Sequence, residues 1–140
     1  MKHKDLVLNA KLWLVRSKSC NPVFCERGSS RLGEFPDAIG WTATDCFLIE
    51  CKASVSDFNA DKNKPFRADE SGLGSRRYYC MTREIFEKVV VPEGWGVLIC
   101  AGEGEVYQER LRGSAEFKRN FEKEVMFLRP RIFQVQQFGT

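Results

Sequence analysis

Residues 46–53 read CFLIECKA, an apolar run that carries two ionisable side chains, Glu50 and Lys52, two positions apart. Such a run is the strongest strand signal in the chain, and along a strand successive side chains project to opposite faces. Phe47, Ile49, Cys51 and Ala53 therefore supply an apolar packing face, while Glu50 and Lys52 share the other. Two ionisable groups inside so apolar a strand are costly unless they are paired with each other or bind an ion. The fold has to bury one face of this strand and give the other something to hold.

The flanking elements follow from periodicity and turn chemistry. Leu6, Val7, Ala10, Trp13 and Leu14 fall on one helical stripe, which predicts an amphipathic helix over residues 4–17. A turn at residues 19–22 leads to a short strand at 23–26, then to a glycine- and serine-rich loop at 27–35. Residues 36–42 read as the next strand, with Pro36 tolerable as its first residue. Ser54-x-x-Asp57 opens a helix in the manner of a capping box, and Pro65 ends it by Lys64. Beyond a loop at 65–76, residues 77–81 form a strand, and Thr82 caps a short helix through Val89. Residues 95–101 are another buried strand, with a hairpin return at 105–108. Ser114 is read as the cap of a last helix lined by Phe117, Phe121, Val125 and Leu128, which Pro130 stops or kinks. Helix, three strands, helix and strand make a layered α/β domain with a mixed sheet, and 140 residues make one such domain.

Composition narrows the function classes. No apolar run approaches the roughly 18 residues of a membrane span, and Asn9 and Lys11 interrupt the only segment resembling a signal peptide. Four of the six cysteines, Cys46, Cys51, Cys80 and Cys100, lie in apolar strand-like runs, where free cysteine behaves as a small hydrophobe. A cytoplasmic protein with reduced thiols is expected. Cysteine spacing supports neither zinc nor an iron–sulfur cluster. The net charge of +3 is unremarkable, but its distribution is not. Glu34, Asp37, Asp45, Glu50, Asp57 and Asp61 surround a single base, Lys52, and basic stretches lie on either side. An acidic centre between basic flanks suits a metal site that also holds a polyanion; solvated charge sorted by chance is the alternative.

If the strand bearing Asp37 lies beside that of Glu50, the two carboxylates can clamp a hard cation such as Mg2+, which keeps several waters. The cation would acidify water and neutralise charge on a phosphate, with Lys52 offsetting charge beside it. Against this stands a plain buried Glu50–Lys52 ion pair next to an exposed Asp37. The pattern Pro36-Asp37, twelve residues, then Glu50-Cys51-Lys52 resembles the active-site signature of the PD-(D/E)xK nuclease superfamily, the restriction-endonuclease-like fold. The segments IGW, ECKAS-x-x-DF-x-x-D-x-x-K-PFR, RRYY and PEGWG look like small stand-alone bacterial and phage members, over roughly residues 5–100. The resemblance implies a restriction-endonuclease-like core and a Mg2+- or Mn2+-dependent hydrolase cutting DNA from within or from an end. It implies Asp37 and Glu50 as metal ligands, Lys52 as the catalytic lysine and the Cys51 carbonyl as a further ligand. Another acidic residue near the first helix or strand is common among members; Glu26 is preferred to Glu34 here. A homodimer is compatible with it.

Lys62, Lys64, Arg67, Arg76 and Arg77 are candidates for phosphate contact, and Tyr78 or Tyr79 for stacking on a base. The alternative is a solvated loop and an ordinary aromatic pair. Asp57 and Asp61 are read as capping and solvating their helix, and Trp41 and Trp95 as packing. The only histidine, His3, stands near a terminus expected to fray, which argues against histidine-based hydrolysis; no P-loop is present. Two rival readings remain: a nucleic-acid-binding module with a silent site, and a phage protein-interaction factor on the same fold.

Overall fold

The alternation of residues 46–51 is realised as a strand, Cys46–Cys51, all of whose residues are buried. The computed structural model describes residues 1–25, 35–64 and 72–138, with side chains as far as 132. The elements in chain order are α1 (His3–Arg16), β1 (Val23–Cys25), β2 (Ala38–Trp41), β3 (Cys46–Cys51), α2 (Val55–Asp61), β4 (Arg76–Met81), α3 (Arg83–Phe86), β5 (Gly96–Gly102), β6 (Glu105–Gln108) and α4 (Phe121–Phe138). Among the described residues six strands form one mixed sheet in sequential order. β1, β2 and β3 make an antiparallel meander, β3, β4 and β5 run parallel, and β6 returns antiparallel. The α/β class and the expected order of helix, three strands, helix and strand are both present. Among the described residues no helix is long and apolar enough to cross a membrane.

The two faces of β3 divide the core as period two requires. Phe47, Ile49 and Cys51 pack with Tyr78, Cys80, Leu98 and Cys100 beneath the α1 stripe of Leu6, Val7, Ala10, Trp13 and Leu14. Each large one of these, such as Leu6 or Leu14, contributes roughly 1.5–3 kcal/mol, against a few tenths per residue from helix propensity. Packing, not propensity, therefore holds α1. Asn9, a polar residue within that stripe, is buried as well: its amide donates to the Gly102 carbonyl (2.9 Å) and accepts from Gly104 N (2.8 Å), pinning α1 to the β5–β6 hairpin. On the other face, Cys46 and Leu48 pack with Ile39, Trp41, Phe58 of α2, Tyr79, Met81, Trp95 and Phe127 of α4. Gly96 is required by close approach, because a Cβ there would come within 2.4 Å of the Tyr78 ring.

Two helical expectations are corrected. Ser114 does not cap a helix; its Oγ accepts from Arg77 N (2.8 Å), and α4 begins only at Phe121. The face lined by Phe121 and Val125 is exposed, and the buried positions are Glu124 and Phe127; Pro130 is carried inside the helix. Thr82 precedes a single turn ending at Phe86 and makes no side-chain cap.

A buried carboxylate anchors α4. Glu124, 4% exposed, accepts from Trp41 Nε1 (2.9 Å) and from Arg119 through Nη2 (2.6 Å) and Nε (3.1 Å). Removing one partner of a buried pair leaves the other uncompensated, which costs about 3–5 kcal/mol in full burial. Arg119 is partly solvated, so Glu124→Ala should lower unfolding stability by about 2–3 kcal/mol in urea titrations. A loss below about 0.5 kcal/mol would show that the triad does not hold α4 down.

Candidate active site

The topology decides which side chains can meet. Because β2 is antiparallel to β3 and β4 is parallel to it, the start of β2 and the ends of β3 and β4 lie at one edge of the sheet. Ala38 pairs with Ile49, so Asp37, one residue earlier, continues the register opposite Glu50. The Asp37 carboxylate is fixed there: Oδ2 accepts the Cys51 backbone N–H at 2.8 Å, extending the strand ladder by a side chain. Glu50 is 2% exposed and pairs in register with Tyr79. Lys52 follows β3, its backbone N–H donating to the Cys80 carbonyl at 3.0 Å. Asp37, Glu50 and Lys52 all line one cavity of about 350 Å³. These three, singled out together from the sequence, border the same cavity.

The cavity has walls that the sequence reading did not assign. Ser54 caps α2 by accepting from Asp57 N (3.1 Å), as expected, so α2 starts directly beyond β3 and runs back over the sheet. That course turns Asp61 inward. Rather than being solvated, Asp61 is 2% exposed; its Oδ1 lies 3.1 Å from Lys52 Nζ and 3.2 Å from Lys64 Nζ, and its Oδ2 accepts from Tyr79 OH at 2.9 Å. Asp57 also borders the cavity. His3 is not frayed: it opens α1, and its Nε2 lies 3.2 Å from Asp37 Oδ1. Phe35, well exposed, stands at the cavity's rim. The signal available for Asp61 was its spacing, three and seven residues after Phe58 and Ser54, which puts it on the same side of α2 as the one apolar residue that packs inward. For His3, one turn before Leu6 and Val7 on the buried stripe, position relative to that stripe was the better guide than closeness to the terminus.

The donors at this cavity are carboxylate oxygens. Asp37 and Glu50 offer hard carboxylate oxygens, while the Cys51 thiol points into the core beneath α1, where burial raises its pKa and keeps it from acting as a thiolate ligand. Among the described residues no group of three or more His, Cys, Asp or Glu side chains is arranged to hold a metal ion. Carboxylate oxygens are the donors that a hard, well-hydrated cation such as Mg2+ or Mn2+ takes. Glu26, Glu34 and Arg67 lie outside the described residues.

Of the basic candidates, Lys64 reaches the cavity and Lys62 caps the end of α2. Arg76 instead serves the β2–β3 turn: Nε lies 3.4 Å from Asp45 Oδ1, and Nη1 donates to the Ser114 carbonyl at 3.2 Å. Arg77 is fully buried, donating to the Gly74 and Gly72 carbonyls with its guanidinium over the Phe117 ring. Tyr78 is 4% exposed, its hydroxyl bonded to Gln108 Oε1 (3.1 Å) and its ring packed on Trp13. Neither Arg77 nor Tyr78 is presented to a ligand, which corrects the reading of both as nucleic-acid contacts. Tyr79, the other stacking candidate, is also buried.

No family model matches the chain, and no curated protein matches it. Among solved structures it is similar to a protein of unknown function from Silicibacter pomeroyi, at 18% identity and a TM-score of 0.68 over 98% of this chain and 92% of that one. At that identity the likeness is one of fold.

The Arg76 cluster provides a pH test. Burial raises the Asp45 carboxyl, but hydrogen bonds from Ser75 (2.8 Å) and Thr44 (3.1 Å), with Arg76 beside it, outweigh burial and hold it below the usual range. A depressed carboxyl contributes stability that is complete above its unfolded value, about 3.9, and disappears as pH falls through the folded value. Asp45→Asn should therefore destabilise the protein at neutral pH and reduce its loss of stability on acidification below about pH 4. Parallel denaturation curves for variant and parent across that range would contradict the assignment.

Proposed function

We propose that this chain is a divalent-metal-dependent nuclease of the restriction-endonuclease-like type, hydrolysing phosphodiester bonds in DNA. One observation carries the reading: Asp37 just before β2, Glu50 on the neighbouring β3 and Lys52 just after it line the same cavity. The order helix, three strands, helix and strand supports it, as does the signature Pro36-Asp37…Glu50-Cys51-Lys52.

Asp37 and Glu50 would hold the ion, with the Cys51 carbonyl as a further oxygen. When bound, Mg2+ or Mn2+ supplies Lewis-acid stabilisation of the charge that gathers on a phosphate attacked by water. Asp37 is prepared for that duty, since the Cys51 amide fixes Oδ2 and orients the carboxylate before any ligand arrives. Lys52, its side chain 13% exposed, sets a cation beside the place where negative charge develops, and its ammonium donates to the phosphate or orients the water. Lys64, half exposed at the rim, adds charge for a neighbouring phosphate.

The test is cleavage of single-stranded and duplex DNA by the purified chain with Mg2+ or Mn2+. Chelation should stop it, and Lys52→Ala should lower kcat by about 10²–10³-fold with an unchanged circular dichroism spectrum. A crystal grown with Mn2+ should show density between Asp37 and Glu50. Cleavage that persists both under chelator and in Lys52→Ala would refute the mechanism.

A further inference from the structure

Asp61 occupies a position unfavourable on two counts. It is the last residue of α2, where a carboxylate faces the negative end of the helix, and it is 2% exposed, so its charge has almost no water. An apolar residue at the same position would suit the helix end and the burial better. What surrounds Asp61 explains its presence. Two ammonium groups, of Lys52 and Lys64, converge on the same oxygen, Oδ1, at 3.1 and 3.2 Å, while Tyr79 OH donates to Oδ2 at 2.9 Å.

The tyrosine determines where the carboxylate sits. Tyr79 is fully buried on β4, stacked on Trp95 (4.4 Å between centroids, 28° between planes) and packed against Phe58 (4.7 Å). Its hydroxyl has no room to swing, so it presents one donor at a fixed point. With Oδ2 held there, Oδ1 is turned toward the two lysines. Lysine by itself is a flexible four-carbon stem ending in a point charge. Tied to Oδ1, the Lys52 ammonium is held at a definite place in the cavity that Asp37 and Glu50 also line.

We infer that Asp61 is the positioning residue for Lys52, with Tyr79 as its support from β4. The assignment rests on the proposed role of Lys52. It divides the two lysines: Lys52, largely enclosed, is the one whose placement matters to the reaction, and Lys64, half exposed, balances the remaining charge on Asp61.

The test combines a double-mutant comparison of cleavage rate with 15N NMR of the lysine ammonium groups in the full chain. The Lys52 resonance, assigned by its loss in Lys52→Ala, should be visible through hindered proton exchange and should disappear in Asp61→Asn. The same substitution should lower kcat by about 10²-fold, the scale of a misplaced catalytic group, with KM changed by less than about twofold. Made in the Lys52→Ala background, Asp61→Asn should have no further effect on rate, which a merely structural role would not produce. Tyr79→Phe, which deletes one neutral hydrogen bond, gives a milder variant should Asp61→Asn fold poorly; it should broaden the Lys52 resonance and lower kcat several-fold. An unchanged Lys52 resonance in Asp61→Asn, or an equal loss of rate with and without Lys52, overturns the assignment. A parent protein that cleaves nothing yet loses the Lys52 resonance on Asp61→Asn supports the pairing and overturns the nuclease reading, so the two fail separately.

Discussion

Everything at the cavity depends on the change of strand direction around β3. An antiparallel neighbour on one side and a parallel one on the other bring the beginning of β2 level with the ends of β3 and β4. Reversing β2 would carry Asp37 to the far end of the sheet, away from Glu50. The parallel step also requires a crossover, and α2 is part of it. The helix that makes the parallel pairing possible therefore delivers Asp61 to the same edge.

Buried charge is handled differently in different parts of the molecule. Arg77 and Glu124 are enclosed by fixed partners, a pair of loop carbonyls and an aromatic ring for the first, an indole and a guanidinium for the second. These contacts tie elements together: Arg77 braces the turn before β4, and Glu124 fastens α4 to β2. The charges at the end of β3 border an open volume of about 350 Å³ instead. Here too the charges have partners, Asp37 with His3 and the Cys51 amide, and Lys52 with Asp61, but the paired groups line a cavity instead of joining two elements face to face.

Much of this was legible in the chain itself, for a reason that also marks the limit. Period two in residues 46–53 sorts the side chains of β3 between two faces, both of which are buried, and the stripe from Leu6 to Leu14 marks the buried side of α1, because burial of several apolar side chains outweighs local preferences. Isolated polar residues carry no such redundancy. Asp61, His3 and Asn9 were each read as solvated, terminal or disruptive, yet each has a partner distant in sequence, Lys52 and Tyr79, Asp37, and the Gly102–Gly104 turn, and Asp61 and Asn9 are buried with theirs. Ser114 misled in the same way, since its hydroxyl serves the amide of Arg77 across the sheet and not the start of a helix. Arg76 to Tyr78 looked like an accessible basic and aromatic patch because composition does not reveal that β4 lies in the middle of a sheet.

The bond from the Cys51 amide to Asp37 has an evolutionary consequence. That carboxylate substitutes for a main-chain acceptor where the β2–β3 ladder runs out, so selection for folding alone would retain it. An acidic or amide residue at this position is therefore favoured by the fold itself, and its presence in a relative is by itself a poor reporter of activity.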